Sequence, residues 1–113
     1  MKVYGIKNCD TVKKALTWLQ NHNVEFEFHD FKKLGVSEEK LQEWGDKLGW
    51  EKLLNKKGTT WRKLDPAVQQ AVNSEAEAFK LMQDKTSVIK RPVIEAGDRI
   101  SIGFDEEQLR QLI

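Results

Sequence analysis

One cysteine dominates the chemistry open to this chain of 113 residues. Cys9 lies where a short apolar run, Val3, Tyr4 and Ile6, gives way through Lys7-Asn8 to a helical pattern, so it falls at or beside a helix N-cap. The first backbone N–H groups of a helix have no intrahelical partner, and together with the helix dipole they favour an anion. A thiolate held there is a nucleophile at neutral pH. The dipole alone is too weak, because it contributes about 0.3–1 kcal/mol whereas one pKa unit is about 1.36 kcal/mol and a free thiol titrates near 8.5. Directed N–H bonds and a nearby cation must supply the rest. Lys13, Lys14 and Arg91 are the candidate cations. The competing reading is an inert buried thiol acting as a small hydrophobe. The polar neighbours Asn8, Asp10 and Thr11 make a strand-to-helix junction a poor place for one.

Arg91-Pro92 is the second informative pair. A proline at the head of a strand cannot donate to the ladder there. A cis bond would press this backbone toward Cys9 and leave polar groups of Arg91, Pro92 and Val93 free for a bound peptide, although base rates for X–Pro bonds favour trans. Lys56-Lys57-Gly58-Thr59-Thr60 reads either as a solvated turn or as an anion-binding loop, with Trp61 beside it as a ligand contact. The other tryptophans, Trp18, Trp44 and Trp50, read as packing residues. His22 and His29 lack a second cysteine, an acid pair or His-x₃-His spacing, so they read as surface or strand-edge residues and no metal site is expected.

The elements that must position these groups follow from periodicity. Lys2–Ile6 predicts a buried strand. Val12, Ala15, Leu16 and Leu19 form one face of a helix ending near Asn21 or Asn23, and Val24–His29 alternates as a half-buried strand. A β-α-β opening implies parallel strands. Ser37 caps a helix with Leu41, Trp44 and Leu48 on its apolar face and Gly49 at its end. Asp65-Pro66 opens another helix whose apolar face is Val68, Ala71 and Val72, and Ser74-Glu75-Ala76-Glu77 matches a capping box. Pro92–Glu95 and Ile100–Ile102 flank Gly97-Asp98 as a hairpin, and Asp105 with Gln108 caps a last helix on which Phe104 packs against Leu109. The order β-α-β, helices, β-β-α predicts a mixed α/β domain with a helical insertion.

Composition narrows the function classes. With 19 basic and 18 acidic side chains the net charge is +1, which argues against a nucleic-acid binder resting on phosphate neutralisation. No run approaches the roughly 18 apolar residues of a membrane span, and the N-terminus lacks the apolar region of a signal peptide. A lone cysteine precludes an intramolecular disulfide, and the default location is a reducing cytoplasm.

Three stretches, Tyr4–Ala15, Lys57–Leu64 and Ile89–Ile94, resemble the arsenate reductase (ArsC)/Spx family of the thioredoxin superfold, most nearly its YffB-type small proteins. The resemblance covers nearly the whole chain. It implies a four-stranded mixed sheet in a thioredoxin-like core at about 1–31 and 88–113, with a helical insertion at about 36–86. It also implies a nucleophilic Cys9, a cis peptide before Pro92, and glutathione-coupled reduction. Departures matter. The arginines that arsenate reductases use to hold the oxyanion fall near Asn55 and Gly103 here, and Lys13 stands where another is found, so a bidentate grip becomes a point charge. Arsenate reduction therefore ranks last. Spx-type regulators carry Cys-x-x-Cys, but Val12 stands at the second position, so no local disulfide switch can close. A non-catalytic adaptor binding an RNA polymerase subunit remains as the alternative.

The reading that results is a monomeric, glutathione-dependent monothiol reductase acting on a disulfide or small oxidised substrate. Cys9 would be the nucleophile, with Arg91, Lys13, Asn8, Asp10 and Thr11 around the thiolate. Pro92, Val93, Lys57, Gly58 and Trp61 would bind glutathione as co-substrate. Because the chain has no second thiol, an outside thiol must release any adduct.

Overall fold

The computed structural model describes residues 1–113. In chain order the elements are β1 (Lys2–Gly5), α1 (Asp10–Asn21), β2 (Glu27–Asp30), α2 (Phe31–Leu34), α3 (Glu38–Leu48), α4 (Trp50–Leu53), α5 (Thr59–Arg62), α6 (Pro66–Ala71), α7 (Glu75–Asp84), a 3₁₀ turn (Thr86–Val88), β3 (Val93–Ala96), β4 (Arg99–Ile102) and α8 (Glu106–Leu112). They group into two compact units, Met1–Leu34 with Arg91–Ile113, and Gly35–Lys90.

The first unit carries a four-stranded sheet in the order β2-β1-β3-β4. β1 runs parallel to β2, with Val3 opposite Phe28, and antiparallel to β3, with Val3 opposite Ile94. β3 and β4 form the expected hairpin, turning at Gly97, whose φ of 63° suits a residue without Cβ. Alternation along the strands sends Val3 and Ile94 to one face, where they join Ala15, Trp18 and Leu19 of α1 and Leu109 of α8. Phe104 packs against this cluster, as its spacing to Leu109 predicts. β2 is shorter than the alternating run: Val24 and Phe26 are half-buried against the same cluster but lie before the ladder begins at Glu27. Hydrophobic alternation thus marks side chains that face the core, whether or not their main chain is paired.

In the second unit, α3 follows the sequence closely. Ser37 accepts from the Lys40 N–H, Leu41 and Trp44 are fully buried, and Gly49 ends the helix at φ 91°. Gly45 lets α7 approach, since a Cβ there would lie 2.9 Å from Phe79 Cζ. Two expectations fail. α6 is capped by Asp65, whose carboxylate accepts from the Ala67 N–H, yet it buries no apolar face, and Val68 is 42% exposed. Ser74 sits at the N-cap of α7 but its hydroxyl makes no capping bond. A helix this short can be held by its ends, and a capping-box pattern supplies a donor and an acceptor without fixing their rotamers.

Candidate active site around Cys9

The site begins with how β1 hands over to α1. A Cβ at Gly5 would lie 2.8 Å from Val12 Cγ2, so glycine at the end of β1 is what lets the first turn of α1 pack against the strand. Val12 and Ala15 are fully buried in that contact. The turn closes when the Cys9 N–H donates to the Ile6 carbonyl (3.2 Å) and the Cys9 carbonyl accepts from the Lys13 N–H (3.0 Å). Cys9 is the N-cap, with extended backbone (φ −99°, ψ 122°), and its side chain is half-buried.

Cys9 makes no side-chain capping bond, and sulfur is a weak acceptor. Its surroundings nevertheless favour the anion. Partial burial pushes the Cys9 thiol up, but a hydrogen bond from Arg91, the Val12 N–H, the Arg91 charge and the Thr11 N–H together outweigh it, so the thiol titrates below its ordinary value. This is a thiol poised by directed donors and one guanidinium rather than by the dipole alone. It can act as a nucleophile toward sulfur.

Arg91 arrives from the far end of the sequence. It immediately precedes β3, and the Arg91-Pro92 peptide is cis, as the resemblance implies and against the base rate. Pro92 is buried, and its carbonyl accepts from the Gly103 N–H (2.8 Å), where Gly103 turns the chain at φ 83°. Val93 is fully buried and lies in register between Tyr4 and Ile102. The main chain at Pro92 is therefore less open to a bound peptide than the proline alone suggests.

The remaining sequence candidates divide. Thr11 bears on the thiol through its main-chain N–H, the weakest of the influences that favour the anion. Asn8 and Asp10 are exposed beside Cys9. Lys13 is exposed on the next turn and is not among the groups acting on the thiol; its part there is the main-chain bond to Cys9. Val12, not named among the site residues, acts on the thiol through its N–H, one of the amides after Cys9 that the helix N-terminus is expected to offer an anion. Lys57, Gly58 and Trp61 belong to the second unit. There the Asn55 side chain accepts from the Lys57 N–H (3.2 Å), and a Cβ on Gly58 would lie 2.8 Å from Asn55 Nδ2. Asn55 thus braces this loop, and the ammonium of Lys56, rather than Lys57, sits 5.6 Å from the Trp61 ring centroid. His22 is exposed and stacks on Trp18 at 3.8 Å, while His29 is half-buried on the edge strand β2.

Comparison with known proteins places these features in a family. The model of the ArsC family matches residues 4–112. The chain belongs to the ArsC family. It is similar to the solved structure of a YffB protein, with 47% identity, a TM-score of 0.93, and coverage of 98% of this chain and 96% of that one. An uncharacterized protein of Haemophilus influenzae is 42% identical over 106 residues, covering 94% of this chain and 92% of its own. The global transcriptional regulator Spx of Streptococcus mutans is 28% identical over 108 residues, covering 94% of this chain and 77% of the regulator. This ArsC-family chain has the thioredoxin-like fold, with the four-stranded mixed sheet that its sequence predicts. None of its helices is long and apolar enough to cross a membrane.

Proposed function

We propose that this ArsC-family protein is a glutathione-dependent monothiol reductase whose nucleophile is Cys9. The observation that carries the reading is the position of a half-buried Cys9 at the N-cap of α1, where Arg91 and the Val12 and Thr11 N–H groups favour its anion. In a glutathione mixed disulfide, the Cys9 thiolate attacks the glutathione sulfur, forming a Cys9–glutathione disulfide and expelling the substrate thiolate, which takes up a proton. A second glutathione thiolate then attacks the glutathione sulfur of that adduct. Oxidised glutathione leaves and the Cys9 thiolate is regenerated. One free glutathione is consumed per turnover: its thiolate is the reductant whose electron pair the exchange passes to the substrate sulfur, and the glutathione already present in the mixed disulfide becomes the other half of oxidised glutathione. Arg91 and the two N–H groups hold the charge on Cys9 before attack and again when it is the leaving group.

The test is to follow alkylation of Cys9 against pH, and to assay reduction of a glutathione mixed disulfide by the native protein and by Cys9→Ser. A lowered thiol pKa with turnover lost in the serine variant supports the proposal. An ordinary thiol pKa and unchanged turnover reject it. A second reading, a non-catalytic adaptor for RNA polymerase, is favoured by the similarity to an Spx regulator; with Val12 at the second position of Cys-x-x-Cys, it would act without a local disulfide switch. It predicts capture of a polymerase subunit that survives Cys9→Ser.

A further inference from the structure

Beside the thiol, the first unit carries a second feature that thiol chemistry alone does not use. A shallow hollow of about 360 Å³ runs along α1, lined by Lys13, Lys14, Thr17, Trp18, Asn21 and Phe104. Lys13, Thr17 and Asn21 follow the inclined i+4 row of the helix that starts from Cys9, so the hollow leads away from the thiol along the same helix. Its floor is preformed. Trp18 is only 7% exposed, His22 stacks on it at 3.8 Å, and Phe104 packs into the same core cluster.

The charges in the hollow do not cancel. Lys13 and Lys14 are both exposed and neither is in an ion pair. Glu106, the acidic residue at the rim, lies 3.6 Å from the Arg110 guanidinium and is matched by it. What remains is an aromatic floor under two uncompensated ammonium groups. The chemistry it complements is a chain that alternates apolar side chains with carboxylates.

We propose that the Lys13–Lys14–Trp18–Phe104 hollow docks an acidic, apolar peptide segment of a protein substrate beside the Cys9 thiol. The proposal rests on the thiol reading above and names its substrate class: a protein carrying a disulfide next to an acidic segment, rather than a small disulfide alone. Apolar side chains of the segment cover Trp18 and Phe104, and its carboxylates meet Lys13 and Lys14.

The experiment separates docking from chemistry by using the full chain with Cys9→Ser. A synthetic peptide of alternating Glu and Leu is titrated into the ¹⁵N-labelled protein, alongside the same peptide with Lys in place of Glu and, separately, oxidised glutathione. The expected result is movement of the Lys13, Thr17, Asn21 and Phe104 amides with the acidic peptide. Lys14→Glu should weaken it by about five-fold, an upper-range effect for one exposed charge pair, and added salt should weaken it further. Lys14→Gln should give a smaller loss in the same direction. Equal responses to the acidic and basic peptides, shifts confined to other amides, or oxidised glutathione binding the same amides as tightly as the peptide each overturn the proposal. Failure here leaves the alkylation and turnover assays of Cys9 untouched, and failure of those assays leaves this titration untouched.

Discussion

The Arg91 guanidinium favours the anion of Cys9, linking the residue that precedes β3 to the residue that caps α1. The two come from opposite ends of the chain and meet because β1 and β3 are neighbours in the sheet. Arg91 acts on the thiol twice, through hydrogen bonding and through its charge, and each favours the anion. Replacing it with Ala removes both while leaving the Val12 and Thr11 N–H groups in place. The Cys9 pKa should rise, and alkylation by iodoacetamide at neutral pH should slow. Arg91→Lys, which retains a charge but not the planar fork, should fall between the two. A pH–rate profile of alkylation that is unchanged in Arg91→Ala would exclude Arg91 as the stabilising cation.

The same shift makes stability depend on pH. The folded-state thiol titrates lower than the unfolded one, so between the two pKa values the unfolded chain binds more protons and stability rises with pH. The contribution is fully present above the unfolded value of about 8.5 and is lost as pH falls through the folded value. Denaturant unfolding of native protein and of Cys9→Ala should therefore show a difference that grows in favour of the native protein as pH increases. A difference that shrinks with rising pH contradicts the lowered pKa.

Gly5 is predicted to be intolerant of even one methyl group. A Cβ there lies 2.8 Å from a branched, fully buried Val12 side chain, which has little room to turn away. Gly5→Ala should destabilise the protein by about 1–3 kcal/mol, the usual range for overpacking. Because Val12 also supplies one of the N–H groups at the sulfur, the same variant should shift the alkylation profile of Cys9. Thermal unfolding and alkylation rates together check both halves.

Ser37 and Ser74 provide an internal contrast. Both are N-caps, but only Ser37 accepts a backbone N–H. Ser37→Ala should cost about 1 kcal/mol, and Ser74→Ala distinctly less. Equal losses in denaturant unfolding would mean that the Ser74 hydroxyl does cap α7.

These cases also show where the sequence is legible. The order of strands and helices, the Cys9 junction, the Ser37 and Asp65 caps and the Gly97 turn follow from local patterns, since periodicity and turn chemistry act within a few residues. The Ser74 pattern misled because a motif names partners but not rotamers. The apolar side chains of α6 misled because so short a helix need not bury a face. Lys13 ranked with Arg91 as a candidate cation by proximity along the chain, whereas the guanidinium that acts on the sulfur is brought by strand pairing. The N–H groups after Cys9 are legible as a class, because the first amides of any helix lack intrahelical partners, but which of them bear on the thiol depends on the path of the backbone.

The antiparallel pairing of β1 with β3 has a consequence for how the protein is made. On a ribosome, Cys9 leaves the exit tunnel well before the strand that follows Arg91 is synthesised. Until β3 docks beside β1, the nascent chain carries a sulfur without its guanidinium. The thiol gains that partner only once the strand after Arg91 has been made and has paired with β1, not when the cysteine itself appears.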